Sequence, residues 1–481
     1  MAVDERSSGV RRRAVISGAA LSLLPWKTAT AQRPRTPHLA VLIPGIMGSV
    51  LHRGDDLLWG VGVNPLIDII RSGDLSLSRL RLDAKLAAPE PAIRATALFP
   101  STTLIPGFWK HDGYSEIRNA LVNELGLVPG SNYFEFPYDW RMDNRLAARQ
   151  LAADARRWLA NWRDASRNAE AKLILVCHSM GGLVARYACE VLGLRGDVRH
   201  VFTIGAPYQG SYKALERVIN GFVSPGLTQT LLSFDSTYQL LPTYACIDPN
   251  GKGPQPLRQI QGIWRDRLSV DRVLDTGAGF HEECRRAALA NRGQTSDMQW
   301  HVSQASTHAT PQIGEWRKGM LSTRATYQGD ATKGDGTVPG YVLAQPDLSS
   351  VPLGVMHCNQ LHASMQNDSA VLRNIIDTIR TGSGSQARSG DPVSLTVPDV
   401  VRKGEKFKAI LAFEKPADST TGCSIVDVAT GDLVEKVEFR PKSGQQDLDI
   451  DLTLLRPGVF RFNVLVRGAT LCSDLIAVVE A

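Results

Sequence analysis

A serine set in a sharp turn is the first residue of this chain whose surroundings could give it chemistry. Leu173-Ile174-Leu175-Val176 is an apolar run of buried-strand character. Cys177-His178-Ser179-Met180-Gly181-Gly182 follows at once, and Leu183-Val184-Ala185-Arg186-Tyr187-Ala188 then has helical character. Strand, tight turn carrying a serine, and helix make a nucleophile elbow, whose rule is G-x-S-x-G. Cys177 stands where the rule has its first glycine. That position needs a small side chain because two backbones pass close together there, and a thiol is small enough. Ser179 is therefore the candidate nucleophile. The N–H of Met180, at the start of the helix, is a candidate oxyanion donor.

A serine hydroxyl needs a base to take its proton, an acid to orient that base, and a second donor for the oxyanion. His38 to Ile43 reads as a strand that runs into Pro44-Gly45-Ile46-Met47-Gly48-Ser49. A glycine-bearing loop after an early strand is where such a fold places its second donor, which we assign to Ile46, with Met47 next. Gly334-Asp335-Gly336-Thr337-Val338-Pro339 puts an aspartate in a tight turn late in the chain. Two histidines follow. His362 precedes the apolar series Met365, Val371, Leu372 and Ile375, which reads as a last helix, while His357 reads as the end of the preceding strand. The order Ser179, Asp335, His362 is the chain order of an α/β-hydrolase triad.

The elements that must position these residues alternate. Tyr114 to Leu125 has the spacing of a helix, Tyr133 to Phe136 of a short strand, and Leu146 to Asp164 of a long amphipathic helix. Val198 to Ile204 is another buried strand, so a parallel sheet wrapped by helices is expected. Leu58-Trp59 is expected to be a packed anchor under the Pro44–Ser49 loop, and Asp139 and Arg141 a structural pair. Ile105-Pro106-Gly107-Phe108-Trp109 reads either as core or as a loop for a lipid surface. From about 208 to 323 the alternation breaks down, as expected of a cap over the carboxyl edge of the sheet, with Phe234 to Pro242 helical and Met298 to Val302 a further sheet strand.

Composition narrows the function classes. The net charge of +6 over 481 residues, without a basic cluster, gives no footprint for nucleic acid. No Cys/His cluster has metal spacing, and the chemistry above calls for no cofactor. Arg11-Arg12-Arg13, the apolar stretch Ala14 to Leu24 and Ala29-Thr30-Ala31 make residues 1–31 an export signal, whose paired arginines fit the twin-arginine type. The expected location is thus periplasmic or secreted, where disulfides can form. Of seven cysteines, Cys423 and Cys472 are the first pair to test. Residues 32–380 form the expected hydrolase domain and 381–392 a flexible linker. Short alternating β runs from 393 to 481 suggest an immunoglobulin-like sandwich with no visible chemistry of its own.

Several motifs, in order, resemble the lecithin:cholesterol acyltransferase family of α/β-hydrolases. They are Leu42-Ile43-Pro44-Gly45-Ile46-Met47-Gly48-Ser49, Leu58-Trp59, Pro106-Gly107-Phe108, Phe136-Pro137-Tyr138-Asp139-Trp140-Arg141, Cys177 to Gly182, Gly205-Ala206-Pro207, Phe234-x-Ser236 with Leu240-Leu241-Pro242, and Gly334 to Val338. The match spans about 38–380, leaving the C-terminal sandwich outside it. The resemblance implies acyl-ester chemistry on lipids such as glycerophospholipids, by hydrolysis or by transfer to an alcohol. It places the family's triad on Ser179, Asp335 and His362 and its oxyanion donors on Ile46 and Met180. Competing readings are a carboxylesterase or thioesterase on small soluble esters, and a binding protein on a decayed hydrolase fold.

Overall fold

Apolar residues face both ways along the first strand, β1 (Leu39–Ile43), and this sets the architecture around it. Leu39, Val41 and Ile43 pack into one core, Ala40 and Leu42 into another, so both faces of the sheet must be covered. A computed structural model describes residues 36–60, 76–82, 93–100, 102–105, 109–221, 225–294, 296–324, 326–327, 330–340, 353–382, 387–388, 392–414, 421–439, 447–466 and 469–480. The stretch expected to be an export signal lies outside the described residues, as do residues 106–108 of the aromatic loop, the side chains of 103–109 and most of 381–392.

The central sheet continues through β2 (Tyr133–Glu135), β3 (Leu173–His178), β4 (Val198–Ile204), β5 (Gln299–Ala305), β6 (Leu353–Cys358) and β7 (Ala387–Arg388). Its spatial order is β2-β1-β3-β4-β5-β6-β7, and every neighbouring pair is parallel. The order reverses at β1, between β2 and β3, so the loops leaving β1 and β3 open a crevice at the carboxyl edge.

Helices α1 (Ser115–Leu125) and α6 (Ser369–Thr381) cover one face through Ile117, Leu121, Leu125, Val371 and Ile375. Helices α2 (Asn144–Ser166) and α3 (Gly181–Glu190) cover the other, where Leu151, Ala155 and Leu159 meet Leu173, Leu175 and Cys177. Trp158, on the same side of α2, stacks on Phe134 with ring centroids 4.3 Å apart.

The stretch 208–323 includes α4 (Tyr212–Asn220), short helices at Pro225–Ser233 and Asp235–Gln239, and α5 (Gly279–Ala290). The sheet strand β5 lies inside this stretch, so the cap is two insertions and not one block. The linker reading of 381–392 also needs amendment: Ala387–Arg388 pairs in parallel with Met356 and His357 and extends the sheet by one edge strand.

Among the described residues beyond 392, every regular element is a strand. Val393–Thr396, Lys406–Phe413 and Asp447–Thr453 form a three-stranded sheet. Val400–Arg402, Thr421–Asp427, Leu433–Phe439, Gly458–Val466 and Ala469–Val479 form a five-stranded one. Burial alternates residue by residue along Lys406–Phe413, and Phe407, Leu411, Phe460, Phe462 and Val464 fill the core shared by both sheets. Cys423 and Cys472 are not bridged; both lie opposite Val464, on the two strands that flank Gly458–Val466. Two strand spacings, roughly 10 Å, separate them, which exceeds the reach of a disulfide.

Candidate active site

The turn after β3 takes the backbone of Ser179 to φ 50°, a conformation uncommon for a side-chain-bearing residue, and hands the chain to α3 two residues later. This geometry lifts the hydroxyl out of the sheet. The space for it comes from glycines. A Cβ on Gly181 would stand 2.5 Å from the Pro44 carbonyl oxygen, and one on Gly182 2.5 Å from the Ala206 Cβ. Cys177 is fully buried in the sheet, and burial pushes its thiol well above the ordinary range, so it stays protonated and unreactive.

Ser179, His362 and Asp335 meet at the carboxyl edge. Ser179 Oγ lies 2.9 Å from His362 Nε2, and His362 Nδ1 lies 2.7 Å from Asp335 Oδ2. Asp335 is completely buried. Its second oxygen accepts the N–H groups of Thr337 at 2.9 Å and Val338 at 2.6 Å, so the tight turn at Gly334–Pro339 also orients the carboxylate. Burial alone would raise its pKa. The adjacent His362 and these hydrogen bonds outweigh burial and hold it below the usual carboxylate value. Gly205, at φ 63°, gives the pair room: a Cβ there would lie 3.0 Å from His362 Nδ1 and 3.1 Å from Asp335 Oδ2. His357 sits within β6 against Gln304, 3.3 Å from its amide nitrogen, and takes no part in this chain of bonds.

The loop after β1 crosses directly beside the nucleophile. A Cβ on Gly45 would stand 2.9 Å from the Ser179 Cβ, so only glycine allows this approach. Ile46 lines the cavity above Ser179, and Met180 stands at the N-terminal cap of α3. Among the described residues, no backbone hydrogen bond outside helices and strands uses the N–H of Ile46 or Met180. The loop is braced from below. Trp59 Nε1–H donates to the Met47 carbonyl at 2.8 Å, Tyr138 Oη–H to the Pro44 carbonyl at 3.0 Å, and Trp140 Nε1–H to the Ser49 carbonyl at 3.0 Å. Arg141 holds Asp139 with two bonds of 2.9 and 2.7 Å and donates at 3.1 Å to the Leu80 carbonyl, so this charged pair is structural.

Two residues of the site carried no functional assignment from the sequence. Tyr114 Oη accepts the Gly45 N–H at 2.8 Å and lies 2.9 Å from His178 Nδ1. His178 Nε2 in turn lies 3.1 Å from the carbonyl oxygen of His362. One tautomer satisfies every group: the phenol donates to Nδ1, and Nε2–H donates to the His362 carbonyl. Burial and the neighbouring His362 lower the His178 pKa to about 3, so the ring remains neutral. The oxyanion loop, the elbow and the histidine loop are thereby tied together. Tyr114 reads from the sequence only as the start of a helix; its hydroxyl acts across a separation of 64 residues.

A serine hydroxyl bonded to an imidazole, the imidazole to a buried carboxylate, and main-chain donors beside them can form and cleave an acyl-serine. Among comparisons with known proteins, the family match overlaps the central sequence motifs. Residues 81–246 match the model of the lecithin:cholesterol acyltransferase family. No curated protein matches the chain. Among solved structures, the lipase BlEst2 of Bacillus licheniformis in its mature form is 13% identical, with 72% of this chain and 94% of that one covered, at a TM-score of 0.33. A superoxide reductase (neelaredoxin) from Ignicoccus hospitalis is 14% identical, covering 18% of this chain and 80% of its own, at a TM-score of 0.15. The CARDB domain of a Pyrococcus furiosus protein is 16% identical over 18% of this chain and 92% of its own, at 0.14. The fold is that of an α/β-hydrolase, and residues 81–246 resemble the lecithin:cholesterol acyltransferase family, a likeness that supports lipid-directed acyl hydrolysis or acyl transfer.

Proposed function

We propose that this protein is a serine-dependent acyl-ester hydrolase or acyltransferase acting on lipid esters, glycerophospholipids among them. The observation that carries the reading is the hydrogen-bonded series Ser179–His362–Asp335, set beside the loop bearing Ile46. In this mechanism His362 takes the Ser179 proton as Oγ attacks the ester carbonyl. The N–H groups of Ile46 and Met180 stabilise the oxyanion, His362 returns the proton to the leaving alcohol, and an acyl-Ser179 remains. Asp335 holds Nδ1–H and stabilises the imidazolium. Water or a second alcohol then repeats the sequence in reverse and releases acid or a new ester.

The apolar side chains of Val218, Leu231 and Leu240 line the cavity above Ser179 and suit an acyl chain. The substrate would be met at a lipid surface after export, a location that rests on the arginines and apolar stretch of residues 1–31. Among the described residues no helix is long and apolar enough to cross a membrane.

A fluorophosphonate probe tests the nucleophile: we expect an adduct on Ser179 in the folded chain and none in Ser179→Ala. Absence of the adduct on the folded wild-type protein would refute the reading. Product analysis with a phospholipid panel, with and without an added alcohol, distinguishes hydrolysis from transfer. Turnover of small soluble esters without any turnover of lipid would move the assignment to a soluble-ester esterase.

A further inference from the structure

The cavity over Ser179 has a volume of about 390 Å³, and the C-terminal sandwich forms part of its wall. Leu395, Thr396, Asp399 and Asp474 line it together with Ser179 and His362. The sequence shows no chemistry of this region's own, yet its position sets it beside the cavity. The hydrolase and the sandwich lie in one compact unit, Pro34–Ala481.

Three sets of contacts hold the wall in place. Lys110 Nζ reaches Asp474 Oδ1 at 2.7 Å and Asp399 Oδ1 at 2.8 Å. Arg461 pairs with Asp112 and donates at 2.9 Å to Thr102 Oγ1. Gln360, two residues before the base, accepts the Ser473 N–H at 2.8 Å. Asp474 is buried, so its charge is costly without Lys110, and the pair fixes the position of the sandwich.

Across the cavity stands α4. Lys213, Ala214, Arg217 and Val218 of this helix line the cavity from one helical face, and Lys213 Nζ donates to the Gly336 carbonyl at 2.7 Å. The opening above Ser179 is therefore bounded by the cap on one side and the sandwich on the other. Val218 gives it apolar surface, and Thr396 stands exposed at its rim, while Leu395, the residue before it, is packed in the sandwich core.

We propose that the C-terminal sandwich is a specificity-determining wall of the active site, with Thr396, anchored beside the core residue Leu395, limiting the acyl chain that can reach Ser179 and the Lys110–Asp399–Asp474 cluster holding that wall closed. The proposal rests on the serine-ester reading above. It assigns to the sandwich the selection of ester size and leaves bond cleavage to the hydrolase domain.

The test compares kcat/KM for p-nitrophenyl butyrate and palmitate in the full chain, alongside Ser179 labelling by a short and a long-chain alkyl fluorophosphonate. Thr396→Trp fills the rim at an exposed position. It should lower the palmitate-to-butyrate ratio about tenfold, and slow the long probe more than the short one, at an unchanged Tm. Asp399→Arg places a third cation beside Lys110 and Lys213, and should raise the same ratio by loosening the wall. Wild-type ratios in both variants would overturn the proposal. A sandwich displaced from the cavity in solution would give that same result. Absence of label from both probes on wild-type Ser179 would instead overturn the serine reading itself.

Discussion

The floor and the roof of the cavity over Ser179 are built from different materials. The floor is backbone: a strained turn, glycines at van der Waals limits, and main-chain groups held by Trp59, Tyr138, Trp140 and Tyr114. The roof is side chain: Lys213 and Arg217 from α4, and Thr396, Asp399 and Asp474 from the sandwich. A floor of fixed backbone dipoles suits charge that develops at one point, since such donors need no reorganisation during reaction. A roof of side chains can be changed one residue at a time without moving the reacting atoms. On the proposed reading, the reaction is set by one region and the selection of substrate by the other.

The largest effects are expected on the floor. Ser179→Ala and His362→Ala should each lower kcat by about 10⁴-fold or more, measured on a p-nitrophenyl ester, while His357→Ala keeps most of the activity. If His357→Ala were the inactive variant, the base would be misassigned. Gly45→Ala comes next. Its methyl would meet the Ser179 Cβ at 2.9 Å and push the oxyanion loop away, for an expected loss of about 10²-fold in kcat with KM nearly unchanged. A Gly45→Ala enzyme with wild-type kcat would mean that the loop does not serve the transition state.

Tyr114→Phe probes the bracing beneath the floor. It removes the phenol between Gly45 and His178 and leaves two buried polar groups without that partner. We expect about a tenfold loss of kcat and about 1–3 kcal/mol of stability from chemical denaturation. Loss of stability alone, with kcat intact, would make the bridge structural and remove the coupling between loop and base.

The same contrast decides what was legible in the sequence. The floor motifs are local: Cys177-His178-Ser179-Met180-Gly181-Gly182 carries strand, turn and helix in one stretch, and Gly334 to Pro339 carries its own turn chemistry. The roof joins residues far apart. Lys110 and Asp474 are 364 positions from each other, and no period or spacing links a lone lysine to an aspartate in another sheet. The strands of the sandwich were readable from their alternation, but the face they turn toward the hydrolase was not. The edge strand Ala387–Arg388 was hidden for a different reason: it lies in a Gly/Ser-rich stretch, and its pairing is supplied by β6.

Acid should loosen the floor and the central sheet. Burial lowers the pKa of His178 and His200 to about 3 and of His281 and His301 to about 4. In the unfolded chain the same rings titrate near 6.5. Between these values the unfolded chain binds more protons than the folded one, so stability is full above about pH 6.5 and falls as the pH drops toward the folded values. Tm measured from pH 7.5 to pH 4 should decline steadily over this window. A flat profile would show that these rings are charged or solvated in the folded protein.

The smallest effect is expected within the sandwich, from its cysteines. Cys423 and Cys472 share one layer of one sheet, and an exported chain meets oxidising conditions. Val464 nonetheless stands between them, and closing the gap from roughly 10 Å to the 7 Å limit of a disulfide would pull apart two antiparallel ladders. Burial also raises both thiols well above the ordinary range, which suppresses the thiolate that oxidation needs. Titration of the denatured, unreduced protein should therefore find all seven thiols, and reductant should leave Tm unchanged. A count of five with a reductant-sensitive Tm would require strand pairing different from that around Val464. It would also shift the wall that Thr396 presents to Ser179, since its neighbour Leu395 shares one core with Val393, Cys423 and Cys472.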